Sequence, residues 1–276
     1  MTGRALVLGG GGVTGVAWEI GLLLGLAERG VDLTGADLFV GTSAGSVTAA
    51  QVTSGRPLEA MFEAQLAGAT TEIPASLGTP GLLKFVLAGL WPGDPRKGRA
   101  WLGRAALRAS TVPEADRRTV IEQRVGTADW PATPLKIAAV AAETGEFVVF
   151  DKSSGVSLID AVAASCAVPL VWPPMTVNGT RYIDGGARSV ANVDLAAGSD
   201  RVVVIAPVTA SARPSGKPQA QAKALGIPQV VVRPSDAALT AIGRNPLDPA
   251  RRAPAAKAGR AQAAEVADQV RAVWSP

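Results

Sequence analysis

The chain has 276 residues, of which 27 are basic and 23 acidic, for a formal net charge of +4, and 47% of its residues are hydrophobic. That composition is enough for one large globular domain and excludes a disordered or collagen-like chain. A single cysteine, Cys166, and the absence of histidine exclude an intrachain disulfide, a zinc site built on Cys and His, and every mechanism that uses imidazole as a base.

The first 55 residues predict a strand, a loop and a helix, followed by a second such unit. Residues 4–8 form an apolar run that stops at four glycines, and apolar residues recur at helical spacing over 15–29. A second strand, predicted over 37–40, runs into Gly-Thr-Ser-Ala-Gly and a helix over 46–52. This order predicts a three-layer α/β/α sandwich with a mainly parallel central sheet.

Residues 56–131 lack strand signals and predict a helical cap inserted into a single domain. Their strongest apolar run, 81–91, is apolar nearly all round. Two interpretations stay open: a helix packed over the core, or an interfacial lid that places Lys84 and Trp91 at the lipid headgroups.

Strand signals return after residue 131. The predicted strands are 135–142, 147–150, 201–206 and 230–233, and the predicted helices are 158–167 and 256–273. Between them, Asn178-Gly179 is typical of a hairpin turn, so the strand that follows ends at Asp184.

The basic cluster of residues 244–260 is interleaved with Pro and Ala and has no aromatic residues that could stack on bases. We interpret it as a solvated tail within a C-terminal helical segment of about 240–276, and we predict no nucleic-acid partner. No signal-peptide core and no run of about 18 uncharged apolar residues is present, which predicts a cytoplasmic protein with peripheral membrane contact left open.

The glycine run of residues 9–12 follows a strand and opens a helix, and Gly10, Gly12 and Gly15 fit the spacing of a dinucleotide-binding loop. That function also requires an acidic residue at the end of the second strand, whereas Asp32 precedes the strand and Asp37 lies at its start. Converging backbone N–H groups at a helix N-terminus equally suit a phosphate or a reaction oxyanion.

Residues 41–45, Gly-Thr-Ser-Ala-Gly, match the G-x-S-x-G nucleophile elbow and lie between a predicted strand and a predicted helix. Gly41 and Gly45 leave room for a strained turn that exposes Ser43 at the carboxyl end of the sheet. By itself the pentapeptide also suits a serine that caps a helix. The glycine run one unit earlier favours the nucleophile.

A serine nucleophile needs a base, and without histidine that base is a carboxylate or a lysine. Asp184 has the most suitable context, because it ends a predicted strand and Gly185 and Gly186 leave its side chain accessible. An Asp-Gly-Gly sequence alone is more often a simple turn. Asp151 and Asp160 lack such a setting.

Together these motifs resemble the patatin-like phospholipases, serine acyl hydrolases that work with a Ser-Asp dyad. The resemblance extends to about residue 197 and covers the glycine loop 9–15, the elbow 41–45, the segment 164–169 (Ala-Ser-Cys-Ala-Val-Pro), and Asp-Gly-Gly at 184–186 with Asn192 downstream.

The resemblance implies a nucleophile at Ser43, a base at Asp184 and an oxyanion hole of the backbone N–H groups of Gly10, Gly11 and Gly12. The elbow and the loop would be supported by Gly41, Gly45, Thr14, Gly15, Gly185 and Gly186. The implied substrate is a lipid carboxylic ester, hydrolysed without a metal or a cofactor.

Thr14 departs from the family pattern, since relatives usually carry Arg or Lys two residues after the glycine run. This motivates an alternative in which the protein binds lipid without turnover.

Overall fold

The computed structural model describes residues 3–67 and 72–275. Its strands are β1 (Arg4–Leu8), β2 (Leu38–Gly41), β3 (Leu135–Ala141), β4 (Phe147–Phe150), β5 (Met175–Val177), β6 (Thr180–Asp184), β7 (Arg201–Ile205) and β8 (Gln229–Val232). Its helices are α1 (Gly12–Ala27), α2 (Ala44–Thr53), α3 (Leu58–Leu66), α4 (Thr79–Gly89), α5 (Pro95–Leu107), α6 (Glu114–Val125), α7 (Leu158–Ser165), α8 (Pro218–Ala224), α9 (Asp236–Ile242) and α10 (Arg252–Trp274).

The eight strands form one mixed sheet in the order β5-β6-β3-β2-β1-β7-β8, with β4 paired to β3. The pairs β1–β2, β1–β7, β2–β3 and β7–β8 are parallel. The pairs of β3 with β4 and β6, and of β5 with β6, are antiparallel. Helices cover both faces, so the predicted three-layer α/β fold is confirmed.

Strand β3 brings the ends of two other strands together. One edge of β3 pairs with β4. The other edge pairs first with β2, where Gly41 is opposite Ile137, and then with β6, where Asp184 is opposite Ala139. Because β2 is parallel and β6 antiparallel to β3, their carboxyl ends point at each other across about one residue of β3.

Helices α1 and α10 pack closely on one face of the sheet because glycines line their contact. A Cβ at Gly21 would lie 2.0 Å from the carbonyl oxygen of Ala256, and one at Gly259 would lie 2.2 Å from that of Trp18. Trp18 also donates its indole N–H to the Gln262 side chain. The predicted C-terminal helix is therefore part of the main core.

The region 56–131 contains α3 to α6 and, in its described part, no strand. Helix α3 buries Met61 and Phe62 in the main core. In α4, Ala88 alone is buried, and a large apolar surface is left exposed. The interpretation of 81–91 as a helix packed over the core is therefore wrong.

The Asn178-Gly179 turn has the backbone conformation predicted for it, with φ of 48° and 77°. Both residues adopt the left-handed conformation that a tight two-residue hairpin loop requires. The hairpin of β5 and β6 therefore delivers Asp184 to the sheet edge.

No helix in the described part of the chain is long and apolar enough to cross a membrane.

Candidate active site

Ser43 lies at a strained turn between β2 and α2. Its φ of 53° and ψ of −118° are unfavourable for a residue with a side chain. The turn is possible because a Cβ at Gly41 would lie 2.5 Å from the Cα of Ser46, and one at Gly45 would lie 2.0 Å from the carbonyl oxygen of Leu8. The two glycines thus permit the close approach of β1 and α2 that holds Ser43 at the sheet edge.

Side chains from distant segments hold the elbow in this conformation. The backbone N–H of Ser43 donates to the hydroxyl of Ser165 at 2.9 Å. The side-chain amide of Asn192 donates to the hydroxyl of Thr42 at 3.0 Å. Ser165 belongs to the small-residue segment noted in the sequence, but its bond to the backbone of Ser43 is set by tertiary structure and has no local signal.

Asp184 is buried, with 3% of its surface exposed, and its carboxylate lies close enough to the Ser43 hydroxyl for that hydroxyl to lower its pKa. The carboxylate accepts the backbone N–H of Gly186 at 2.7 Å. Burial raises the pKa of Asp184 to about 6, and the Ser43 hydroxyl and the Gly186 N–H offset part of that rise. The structure therefore brings together the two side chains that the sequence singled out.

The turn after Asp184 is held against β3. A Cβ at Gly185 would lie 2.4 Å from the carbonyl oxygen of Ala138. Asn192 adopts a left-handed conformation, and its side-chain amide also donates to the carbonyl oxygen of Ser189 at 2.8 Å. Asn192 thus connects this turn with the elbow, which explains its position downstream of the Asp-Gly-Gly sequence.

The glycine loop lies beside Ser43, but one of its three predicted donors is occupied. The N–H of Gly10 donates to the carbonyl oxygen of Val190 at 2.7 Å, so the prediction of Gly10 as an oxyanion donor is wrong in this conformation. Within the described residues, the N–H groups of Gly11, Gly12 and Val13 have no backbone acceptor. They lie at the N-terminus of α1, where the helix dipole favours negative charge.

Thr14 fastens the glycine loop to the segment before α10. Its backbone N–H and its hydroxyl both donate to the carbonyl oxygen of Pro246 at 3.1 Å. Gly12 has a φ of +63°, and a Cβ there would lie 2.4 Å from the same oxygen. The prediction of a solvated tail over 244–260 is therefore wrong, because Pro246 and Leu247 border the site.

Gly15 completes the packing between loop and elbow. Its N–H donates to the carbonyl oxygen of Gly11 at 2.9 Å, and a Cβ at Gly15 would lie 3.4 Å from the side chains of Ala44 and Pro207, which is ordinary contact distance. An alanine at this position would therefore be tolerated better than one at Gly11, where a Cβ would lie 2.5 Å from Pro207.

Ser43 lines a small cavity, and a larger cavity adjoins that one. The small one, of about 20 Å³, is lined by Gly12, Val13, Ser43, Ala44, Arg117, Arg124, Cys166, Val168, Trp172 and Leu247. The larger one, of about 530 Å³, shares Val13 and Arg124 with it and extends towards Arg56 and Arg252. Arg117 was not predictable from the sequence as a site residue, since a lone arginine in an amphipathic helix carries no signal of burial.

Two buried ionisable groups lie beneath the site, and burial raises the pKa of each. Burial raises the pKa of the Cys166 thiol to about 11, so it stays protonated where it lies against the carbonyl oxygen of Ser43. Glu19 on α1 accepts the hydroxyl of Thr48 on α2 at 2.6 Å, and burial raises its pKa well above the ordinary range. Both residues therefore serve packing beneath the site.

The geometry does not favour a dinucleotide. Asp37 accepts the backbone N–H of Arg4, and Asp32 caps the turn at Thr34, so neither carboxylate lies at the end of β2 where a ribose would be bound.

The family model described as patatin-like phospholipase matches residues 6–197. No curated protein matches the chain.

Among solved structures, VipD from Legionella pneumophila is similar over 98% of this chain and 67% of its own, with a TM-score of 0.50 and 13% identity. The type III effector ExoU matches 98% of this chain and 53% of its own, with a TM-score of 0.44 and 17% identity. Human GIVD cytosolic phospholipase A2, in complex with methyl γ-linolenyl fluorophosphonate, matches 98% of this chain and 58% of its own, with a TM-score of 0.47 and 12% identity. These likenesses concern the fold.

Proposed function

The chain belongs to the patatin-like phospholipase family of lipid ester hydrolases, and we propose that it hydrolyses carboxylic esters of lipids through Ser43 and Asp184. The position of the buried Asp184 carboxylate beside the hydroxyl of Ser43, which lies at a strained elbow, carries the proposal. A nucleophile at a strained elbow, in contact with a base of raised pKa, is the arrangement that acyl transfer needs in a chain without histidine.

In the proposed reaction, the Oγ of Ser43 forms a bond to the ester carbonyl carbon while its proton passes to Asp184. The C–O bond to the alcohol then breaks, and Asp184 returns the proton to the departing alkoxide. Water repeats the two steps on the acyl-enzyme and releases the fatty acid. A carboxylate with a pKa of about 6 accepts a proton more readily than an ordinary aspartate, and it is still ionised at neutral pH.

The developing oxyanion would be held by the unpaired N–H groups of Gly11 and Gly12, with Val13 as a third donor. Loss of one such donor costs roughly 10² to 10³ in rate in other acyl hydrolases. The backbone N–H of Ala44, at the start of α2, has no backbone acceptor among the described residues and faces the same pocket. The residue after a nucleophile supplies such a donor in other elbows.

A fluorophosphonate tests this function directly. We expect it to phosphonylate Ser43, as shown by peptide mapping, at a rate that rises with pH through about 6, because Asp184 must be ionised to accept the proton. An unmodified Ser43 would contradict the Ser43–Asp184 dyad. So would a labelling rate that does not fall as the pH drops below about 6. The alternative of lipid binding without turnover, motivated by Thr14, predicts no labelling.

We further propose that α4 contacts the membrane that carries the substrate. Its exposed apolar side chains are Leu82, Leu83, Val86 and Leu87, continued by Leu90, each 39% to 56% exposed. Such a continuous apolar surface is typical of an interaction site, and an apolar helix face with nearby basic residues suits a lipid interface. The ring of Trp91, at the end of this surface, packs against Trp101 of α5 with centroids 5.8 Å apart.

Replacing Leu87 by glutamate should lower binding to phospholipid vesicles about tenfold, because the leucine would no longer be buried in lipid. Sedimentation with vesicles measures this. Leu239→Glu is the matched control, since Leu239 on α9 is equally exposed but lies outside α4. Equal sedimentation of the two variants would contradict a membrane role for α4.

A further inference from the structure

Arg117, on α6, is a buried cation whose hydrogen-bonding groups are not satisfied. The residue is 3% exposed, and its guanidinium lies over the ring of Trp172 at 4.1 Å. Its Nε and Nη1 atoms are buried and have no hydrogen-bond partner in the described part of the chain. A buried guanidinium without acceptors is strongly destabilising, so its presence indicates that something else binds it.

The position of Arg117 places that missing anion beside the nucleophile. Arg117 lines the same small pocket as Ser43, Gly12 and Ala44. Its charge is close enough to lower the pKa of Asp184, and burial lowers its own pKa only to about 10, so it stays charged at neutral pH. Trp172 covers one face of the guanidinium, which leaves its edges to donate.

The glycine loop supplies no such charge, because Thr14 is uncharged and its hydroxyl is already bonded to Pro246. The adjoining cavity is lined by three arginines, Arg56, Arg124 and Arg252, against one glutamate, Glu72. The whole region is therefore positive and attracts an anionic ligand.

We propose that Arg117 binds the phosphodiester of the substrate headgroup and so selects glycerophospholipids over neutral glycerides. This inference rests on the proposed hydrolase function. In a glycerophospholipid the acyl ester and the phosphodiester share one glycerol, so an ester at Ser43 brings a phosphate within a few bonds of it. A planar guanidinium matches two phosphate oxygens at once, which a neutral glyceride cannot offer.

The test compares two esters of the same acyl chain, a lysophosphatidylcholine and a monoacylglycerol, at pH 8, where Asp184 is ionised. We expect Arg117→Met to lower kcat/KM for the lysophospholipid by roughly 10- to 100-fold, the range for a hydrogen bond to a charged group, and to change that for the monoacylglycerol by less than about threefold. Arg117→Lys should keep part of the preference. The ratio of the two rates does not depend on the fraction of protein that is folded.

Arg118→Gln is the matched control, because Arg118 is the next residue of α6 but pairs with Asp160 and Glu122 outside the pocket. It should leave the substrate ratio unchanged. A second measurement uses the wild type alone: sn-glycero-3-phosphocholine, but not glycerol, should slow the fluorophosphonate labelling of Ser43.

If Arg117→Met lowers both activities equally, Arg117 acts on the oxyanion or on the fold, and headgroup recognition is overturned. Any result that leaves the ratio of the two kcat/KM values unchanged overturns it in the same way. Absence of turnover and of labelling in the wild type would instead overturn the hydrolase function, and this inference with it.

Discussion

Asp184→Asn should abolish ester hydrolysis, lowering kcat/KM by at least about 10³-fold, and should at the same time make the protein more stable at pH 8. Activity is lost because an amide cannot accept the proton of Ser43. Stability is gained because the carboxylate is buried among groups that compensate poorly for its charge, as its raised pKa of about 6 shows.

The sign of the stability effect depends on pH. Below about pH 4, the ordinary pKa of aspartate, the folded and unfolded chains both hold the proton. Between about pH 4 and about pH 6, Asp184 has lost its proton in the unfolded chain but still holds it in the folded chain. The free energy of unfolding therefore falls as pH rises through this window. Above that window the wild type carries a penalty of up to about 3 kcal/mol, which Asn removes.

Denaturant unfolding of both proteins at pH 4 and pH 8 measures this effect. We expect the stabilities to converge at pH 4 and to differ in favour of Asn at pH 8. Asp160→Asn is a suitable control, because Asp160 is bonded to Arg118 and Ser157 and should gain no stability on neutralisation. Retained hydrolysis by Asp184→Asn would remove Asp184 as the base.

Ser43→Gly should likewise abolish turnover and stabilise the fold. The positive φ of 53° at Ser43 costs about 1 to 3 kcal/mol for a residue with a Cβ, and glycine does not pay it. Ser43→Ala keeps the Cβ, so both variants lose the nucleophile but glycine should be the more stable by about 1 kcal/mol or more.

Thermal or denaturant unfolding of the two Ser43 variants tests this prediction. In the control Ala49→Gly, in the regular part of α2, the same change of alanine to glycine should destabilise the protein by about 1 kcal/mol. A Ser43→Gly variant less stable than Ser43→Ala would show that the elbow is not strained. If substitutions at Ser43 and at Asp184 both abolish activity and stabilise the fold, these two residues are kept for function at the expense of stability.

Local sequence was sufficient for those features that depend on backbone conformation and side-chain periodicity. The strands before the glycine run and before the elbow, the tight turn at Asn178-Gly179 and the roles of Gly41 and Gly45 were predictable, because few residues other than glycine and asparagine accept such backbone angles or such close contacts. Because the chain has no histidine, the sequence predicted a carboxylate or a lysine as the base, and Asp184 had the most suitable context.

Tertiary structure alone decided how these parts combine. Only the pairing of β2 and β6 along one edge of β3 places Asp184 at Ser43. The carbonyl oxygen of Val190 accepts the Gly10 N–H, which the sequence predicted to be a free donor, and the burial of Arg117 places a cation in the small cavity beside Ser43. These contacts join residues far apart in the chain, whose distances depend on how all the layers pack, and no periodicity or motif encodes that.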